Sequence, residues 1–91
     1  MKLNDIVTIV AVTGAEYVGK FVKETPEHIT IKDPHIVSPD GNNLGFMPTV
    51  AMTGEPKIDK VNFYKFGVIV VVPTAVAVAK EYRKSCSGII L

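Results

Sequence analysis

Five consecutive β-branched residues, Val68, Ile69, Val70, Val71 and Val72, stand between Gly67 and Pro73. Side chains branched at Cβ are stiff on a helix and pack well on a pleated surface, so this run predicts a strand. It carries no polar residue on either face, which predicts a strand covered on both sides and the most buried of the chain. Residues 6–13 repeat the pattern and close on Gly14, predicting a second central strand. Two such runs commit the chain to a β fold.

The remaining segments extend that reading. Residues 16–24 follow a tight turn at Thr13, Gly14 and Ala15, and alternation puts Tyr17 and Phe21 on one face, Val18 and Val22 on the other. Gly19 sits between them. A glycine in mid-strand weakens pairing unless the strand bends sharply or admits a close backbone, so it predicts a curled sheet or small barrel. A third strand is expected near residues 27–36, with Pro34 at a bulge or edge. Turn residues crowd 38–43 and an apolar segment fills 44–52, which together predict a long hairpin arm. A second turn at Gly54, Glu55 and Pro56 leads to a strand over 60–65.

Pro73 stops the sheet and Thr74 offers an N-cap. Ala75, Val78, Ala79, Tyr82 and Cys86 then recur at helical spacing, with Lys80, Glu81, Arg83 and Lys84 opposite, predicting an amphipathic C-terminal helix over 74–87. Gly88 is expected to end it, and the apolar Ile89, Ile90 and Leu91 to dock on this subunit or a neighbour.

Size and composition narrow the class. A chain of 91 residues has the size of one domain, 1–91, with 32–59 read as a hairpin insertion. Ten basic against nine acidic residues leave a net charge of +1, so any basic site must be local. A hydrophobic fraction of 47% is high for so small a body and predicts association into a homo-oligomer, the alternative being a monomer packed on both faces of its sheet.

Cys86, the single cysteine, can neither close an intramolecular disulfide nor supply a cysteine-rich zinc site, which fits a reducing compartment. Residues 66–79 are uncharged but shorter than the roughly 20 a membrane-spanning helix needs, and Pro73 interrupts them. Asp5 and Thr8 break up the apolar start in a way signal peptides do not. A cytoplasmic protein without membrane contact is therefore expected.

Catalytic chemistry finds no pattern. His28 and His35 are seven apart and would point to opposite faces of an unbroken strand, so no shared metal site is expected. There is no Ser, His and acid arrangement, no HExxH and no glycine-rich phosphate loop. Glu24, Glu27, Asp33, Asp40, Glu55 and Asp59 stand beside turns and strand ends, where solvated charge normally falls. The expectation is a non-enzyme with no cofactor.

One segment carries a resemblance. Tyr64, Lys65, Phe66, Gly67, Val68, Ile69, Val70, Val71, Val72 and Pro73 resemble the stretch that the Hfq-type branch of the Sm and Sm-like family writes Tyr-Lys-His-Ala-Ile-Ser-Thr-Val-Val-Pro. Tyrosine, lysine, both late valines and the proline agree in place. Gly14 and Gly19 resemble the paired glycines of that family's first motif, with Phe21, Ile29 and Ile31 at its apolar positions.

The resemblance implies a small, strongly bent, five-stranded antiparallel barrel of Sm-like type. In that family the fifth strand of one subunit pairs with the fourth of the next and closes a ring, here a pentamer to heptamer. Its function would be binding of single-stranded RNA by two loops, carried over to Lys65, Phe66, His28, Tyr64 and Thr25. Thr25 falls where the family usually has an aspartate, His28 near its base-contacting asparagine, and Phe66 replaces a histidine. Those departures favour stacking over edge reading. The rival implication is a structural or scaffolding oligomer that keeps the ring without RNA, and a small-ligand or peptide-binding barrel is a third.

Overall fold

The computed structural model describes residues 1–87, with the side chains of Asp40 and Ser87 left aside, so the expected tail 88–91 lies outside the described residues. The strands are β1 (Ile6–Ala11), β2 (Glu16–Glu24), β3 (His28–Asp40), β4 (Asn43–Met47), β5 (Lys60–Tyr64) and β6 (Val68–Pro73). A 3-10 turn (Lys65–Gly67) joins β5 to β6, and α1 (Val76–Ser87) follows. All pairings are antiparallel, so the fold is mostly β with one C-terminal helix.

The sheet runs β4-β3-β2-β1-β6, and β5 also pairs with β3. β3 is therefore long enough to serve two partners on one edge. Its first half takes β5, from His28 opposite Tyr64 to Lys32 opposite Lys60, and its second half takes β4, from Ile36 opposite Met47 to Asp40 opposite Asn43. Gly41 and Asn42 alone turn the chain from β3 to β4. Gly41 has φ of 64° and Asn42 is not positive, the two-residue hairpin arrangement that puts glycine first.

The division of β3 falls at a bulge. Its register against β2 shifts between Val18 and Lys20 and again between Phe21 and Lys23. Asp33 takes φ of 49°, a left-handed conformation uncommon for a residue with a Cβ. Gly19 lies opposite this bulge because nothing larger fits: a Cβ there would collide with Ile31 Cγ2 and stand 3.1 Å from the Lys32 carbonyl. Side-chain and backbone bonds then hold the bulge. The Asp33 carbonyl accepts from Tyr82 Oη at 2.7 Å and from His35 Nδ1 at 3.0 Å, while Lys20 reaches the Asp33 carboxylate at 3.2 Å.

Alternation about that bend builds two apolar layers. Val7, Ile9, Phe21, Ile29 and Ile31 form the core, and Tyr17, Val61, Phe63, Val68 and Val71 pack against it, with Tyr17 and Phe63 rings 5.1 Å apart. Pro34, His35 and Val18 are buried elsewhere on the sheet, as are Ala79 and Tyr82 of α1. Tyr82 meets His35 edge-on at 5.1 Å and Phe46 of the hairpin at 6.5 Å, so one helical side chain ties α1 to the bulge of β3 and to β4.

Several expectations need correction. Six strands form instead of five, the extra one being β4 of the insertion, and the sheet is not closed within the described chain. β4 stops at Met47, because Pro48 has no N–H to continue a ladder. β6 is not the most buried strand: Ile69, Val70 and Val72 are 64%, 42% and 41% exposed. Among the described residues it pairs with β1 alone, which leaves its other edge open. Thr74 is not seen to cap the helix, since its hydroxyl bonds that of Thr8 at 2.8 Å, and Ala75 is exposed.

Burial first, and then the neighbouring Cys86 thiol, push the Tyr82 phenol well above its ordinary value. The folded state thus keeps a proton that the unfolded chain loses above about pH 10. Stability from this group is full below that value and declines as pH rises past it. Urea titrations should show this alkaline decline in the wild type and a shallower one in Tyr82→Phe. That variant should also lose about 1 kcal/mol at neutral pH, the worth of one hydrogen bond. Gly19→Ala should be destabilised by about 1–3 kcal/mol through overpacking.

Candidate functional site

The β2–β3 turn is shaped by a threonine. Thr25 Oγ1 accepts from the backbone N–H of Glu27 at 3.2 Å and of His28 at 3.1 Å, and its own N–H donates to the His28 carbonyl at 2.8 Å. Such a threonine turn offers the backbone partners that the strand ladder no longer supplies. It also occupies the hydroxyl, which lies 3.3 Å from the His28 carbonyl. Thr25 is thus a turn-forming residue.

The turn between β5 and β6 comes to the same place. β5 runs beside the first half of β3, so Tyr64 lies opposite His28. The Lys65 N–H then donates to the Glu27 carbonyl at 2.9 Å, fastening one turn to the other. His28 meets the Tyr64 ring edge-on at 5.5 Å, and Tyr64 stacks with Phe66 at 6.1 Å and 23° between planes. Phe66 is 90% exposed and Tyr64 49%, unusual for packing side chains. All the residues singled out from the sequence, Thr25, His28, Tyr64, Lys65 and Phe66, therefore meet at one end of the sheet.

Electrostatics alter what that cluster offers. Lys65 Nζ lies 2.7 Å from Glu24 Oε2, so its charge is matched inside the site. The hydrogen bond and charge of Lys65 hold the Glu24 carboxyl below the usual carboxylate range. By sequence Glu24 is one of the acids beside turns, where solvated charge is expected. Its 41-residue separation from Lys65 leaves no local pattern to reveal the pair.

His35 belongs elsewhere, buried against Tyr82, so the two histidines do not converge. Two concavities also lie apart from the aromatic cluster. One of about 380 Å³ includes His35, Lys57, Ile58 and Cys86, and one of about 520 Å³ runs between Val18, Val37, Leu44, Val72 and Val78. Among the described residues no group of three or more His, Cys, Asp or Glu could hold a metal ion, and no helix is long and apolar enough to cross a membrane.

No family model matches the chain, and no curated protein matches it significantly.

The turn geometry has a measurable consequence. Thr25→Val should lower stability by about 1–2 kcal/mol, because two backbone donors lose their acceptor. Thr25→Ser should recover most of that loss in the same denaturation assay.

Proposed function

We propose that the chain assembles through β5 and β6 into a homo-oligomeric ring of Sm-like type, pentamer to heptamer, and binds single-stranded RNA at the cluster of Tyr64, Phe66, His28 and Lys65. The observation that carries this reading is the exposed, stacked Tyr64 and Phe66 pair at the junction of two separately supported turns. Exposed aromatic rings are platforms for bases, worth roughly 1–3 kcal/mol per stacked base and tolerant of sequence. Thr25 supports the platform through the turn it closes.

The open edges supply the assembly. Among the described residues β5 pairs only with β3 and β6 only with β1, so each carries a row of backbone groups without a ladder partner there. These correspond to the fourth and fifth strands that the Sm-like family joins between subunits, once the β3–β4 hairpin is counted as an insertion. An open, apolar edge strand invites pairing with another chain. Edge-to-edge closure of copies covers Ile69, Val70 and Val72 and completes a barrel that a single copy leaves open.

The Glu24–Lys65 pair favours a scaffolding oligomer as the second reading, since it cancels the charge that phosphates would seek. In the RNA reading the same pair implies modest salt dependence, because few counterions are released. Repetition of a weak site around a ring compensates through avidity.

Fluorescence anisotropy with labelled oligo-uridine at two salt concentrations separates these readings. The RNA reading expects micromolar or tighter binding, lost in Phe66→Ala and weakened in Lys65→Ala, whereas the scaffold expects no signal. Sedimentation velocity should show five to seven copies for the wild type in either case, as the family resemblance implies. Ile69→Lys, which places a charge on the open strand, should shift that boundary toward the monomer; a wild-type monomer contradicts both readings.

A further inference from the structure

The platform has a carboxylate fixed beside its lysine. Glu24 ends β2 at the turn where Lys65 emerges, and Lys65 stands between Tyr64 and Phe66 in the chain. Its Oε2 is clamped by Lys65 at 2.7 Å, while Oε1 has no hydrogen-bond partner among the described residues. The turn's hydroxyl is committed, because Thr25 Oγ1 serves the backbone of Glu27 and His28, and of the two exposed carboxylates there, Glu24 and Glu27, it is Glu24 that Lys65 holds. What this turn presents toward a neighbouring ligand is therefore a carboxylate rather than an amide or hydroxyl.

An ionised carboxylate accepts hydrogen bonds and cannot donate them. Bases differ in what they can offer such a group. Guanine alone carries two adjacent donors, N1–H and N2–H, on its Watson–Crick edge. Uracil places its N3–H between two carbonyl oxygens, and adenine and cytosine each set an amino donor beside a ring-nitrogen acceptor. A carboxylate held by the lysine that precedes the stacking ring in the chain thus meets two donors in guanine and a repelled lone pair in the others.

We infer that Glu24 reads the edge of the base stacked on Phe66 and selects guanine-containing single strands, an inference that rests on the RNA reading above. Lys65 then acts as a positioning residue that orients the carboxylate. The hydrogen bond and charge of Lys65, which hold the Glu24 carboxyl below the usual carboxylate range, favour its ionised form. Selectivity of about tenfold is expected, the effect of one additional hydrogen bond to a charged group.

The opposing role for Glu24 is simple neutralisation of Lys65, and it predicts the opposite response. Labelled uridine heptamers with a central G, A, C or U should be compared by anisotropy on the full-length protein. The wild type should bind the G strand about tenfold tighter than the other three. Glu24→Gln should bring the G strand down to their level while sedimentation and thermal melting stay as in the wild type, and Glu24→Ala should do the same. Equal binding of all four strands by the wild type, or uniform tightening in Glu24→Gln, overturns the inference and leaves the RNA reading standing. No binding of any strand at micromolar protein overturns the RNA reading and this inference with it.

Discussion

The close approach of Gly19 to Ile31 and Lys32 is the constraint on which the rest of the molecule depends. Because no Cβ stands there, β2 and β3 can cross the bulge at Asp33 and Pro34, and β3 changes direction without leaving the sheet. One edge of β3 is then divided between β5 and β4. The first partnership sets the Lys65 turn against the Glu27 turn; the second carries the hairpin toward α1, where Tyr82 reaches back to the Asp33 carbonyl. A residue without a side chain thus positions the exposed aromatic rings some forty residues later in the chain.

Burial and exposure follow from the same division. The apolar content of 47% is not all used inside the described chain, since β6 leaves Ile69, Val70 and Val72 exposed and the hairpin leaves Leu44 and Met47 exposed. Scattered exposed apolar residues are ordinary, but a β-branched strand with one free edge is an aggregation hazard unless something pairs with it. The proposed assembly through β5 and β6 would turn that hazard into an interface.

Much of the fold was legible in the sequence where period-two patterning and turn chemistry agree. The strands around Ile9, Phe21, Ile31 and Phe63 and the stripe of Ala79, Tyr82 and Cys86 are of this kind. The exposure of β6 was not legible, because a β-branched run reads the same whether a strand is covered by its own chain or stands at an open edge. Ser38, Pro39 and Asp40 carry turn chemistry yet extend β3, since pairing with β4 outweighs local preference. At the candidate site the aromatic residues announced themselves through resemblance, whereas Glu24 did not: its partner is fixed only by tertiary structure. Thr25 builds the turn through its hydroxyl, a role that becomes visible only once the backbone of Glu27 and His28 is placed.

In the proposed function the turns around residues 24–28 and 64–67, joined by the Lys65 N–H and the His28–Tyr64 contact, receive single-stranded RNA as one surface. Amide TROSY spectra recorded during titration with a short single-stranded RNA test this. RNA bound there gives dose-dependent shifts concentrated at those two turns, with Phe66 and its neighbours most affected and the β3–β4 hairpin and α1 little changed. Shifts centred on the hairpin or helix, or spectra unaltered at saturating RNA, would contradict it.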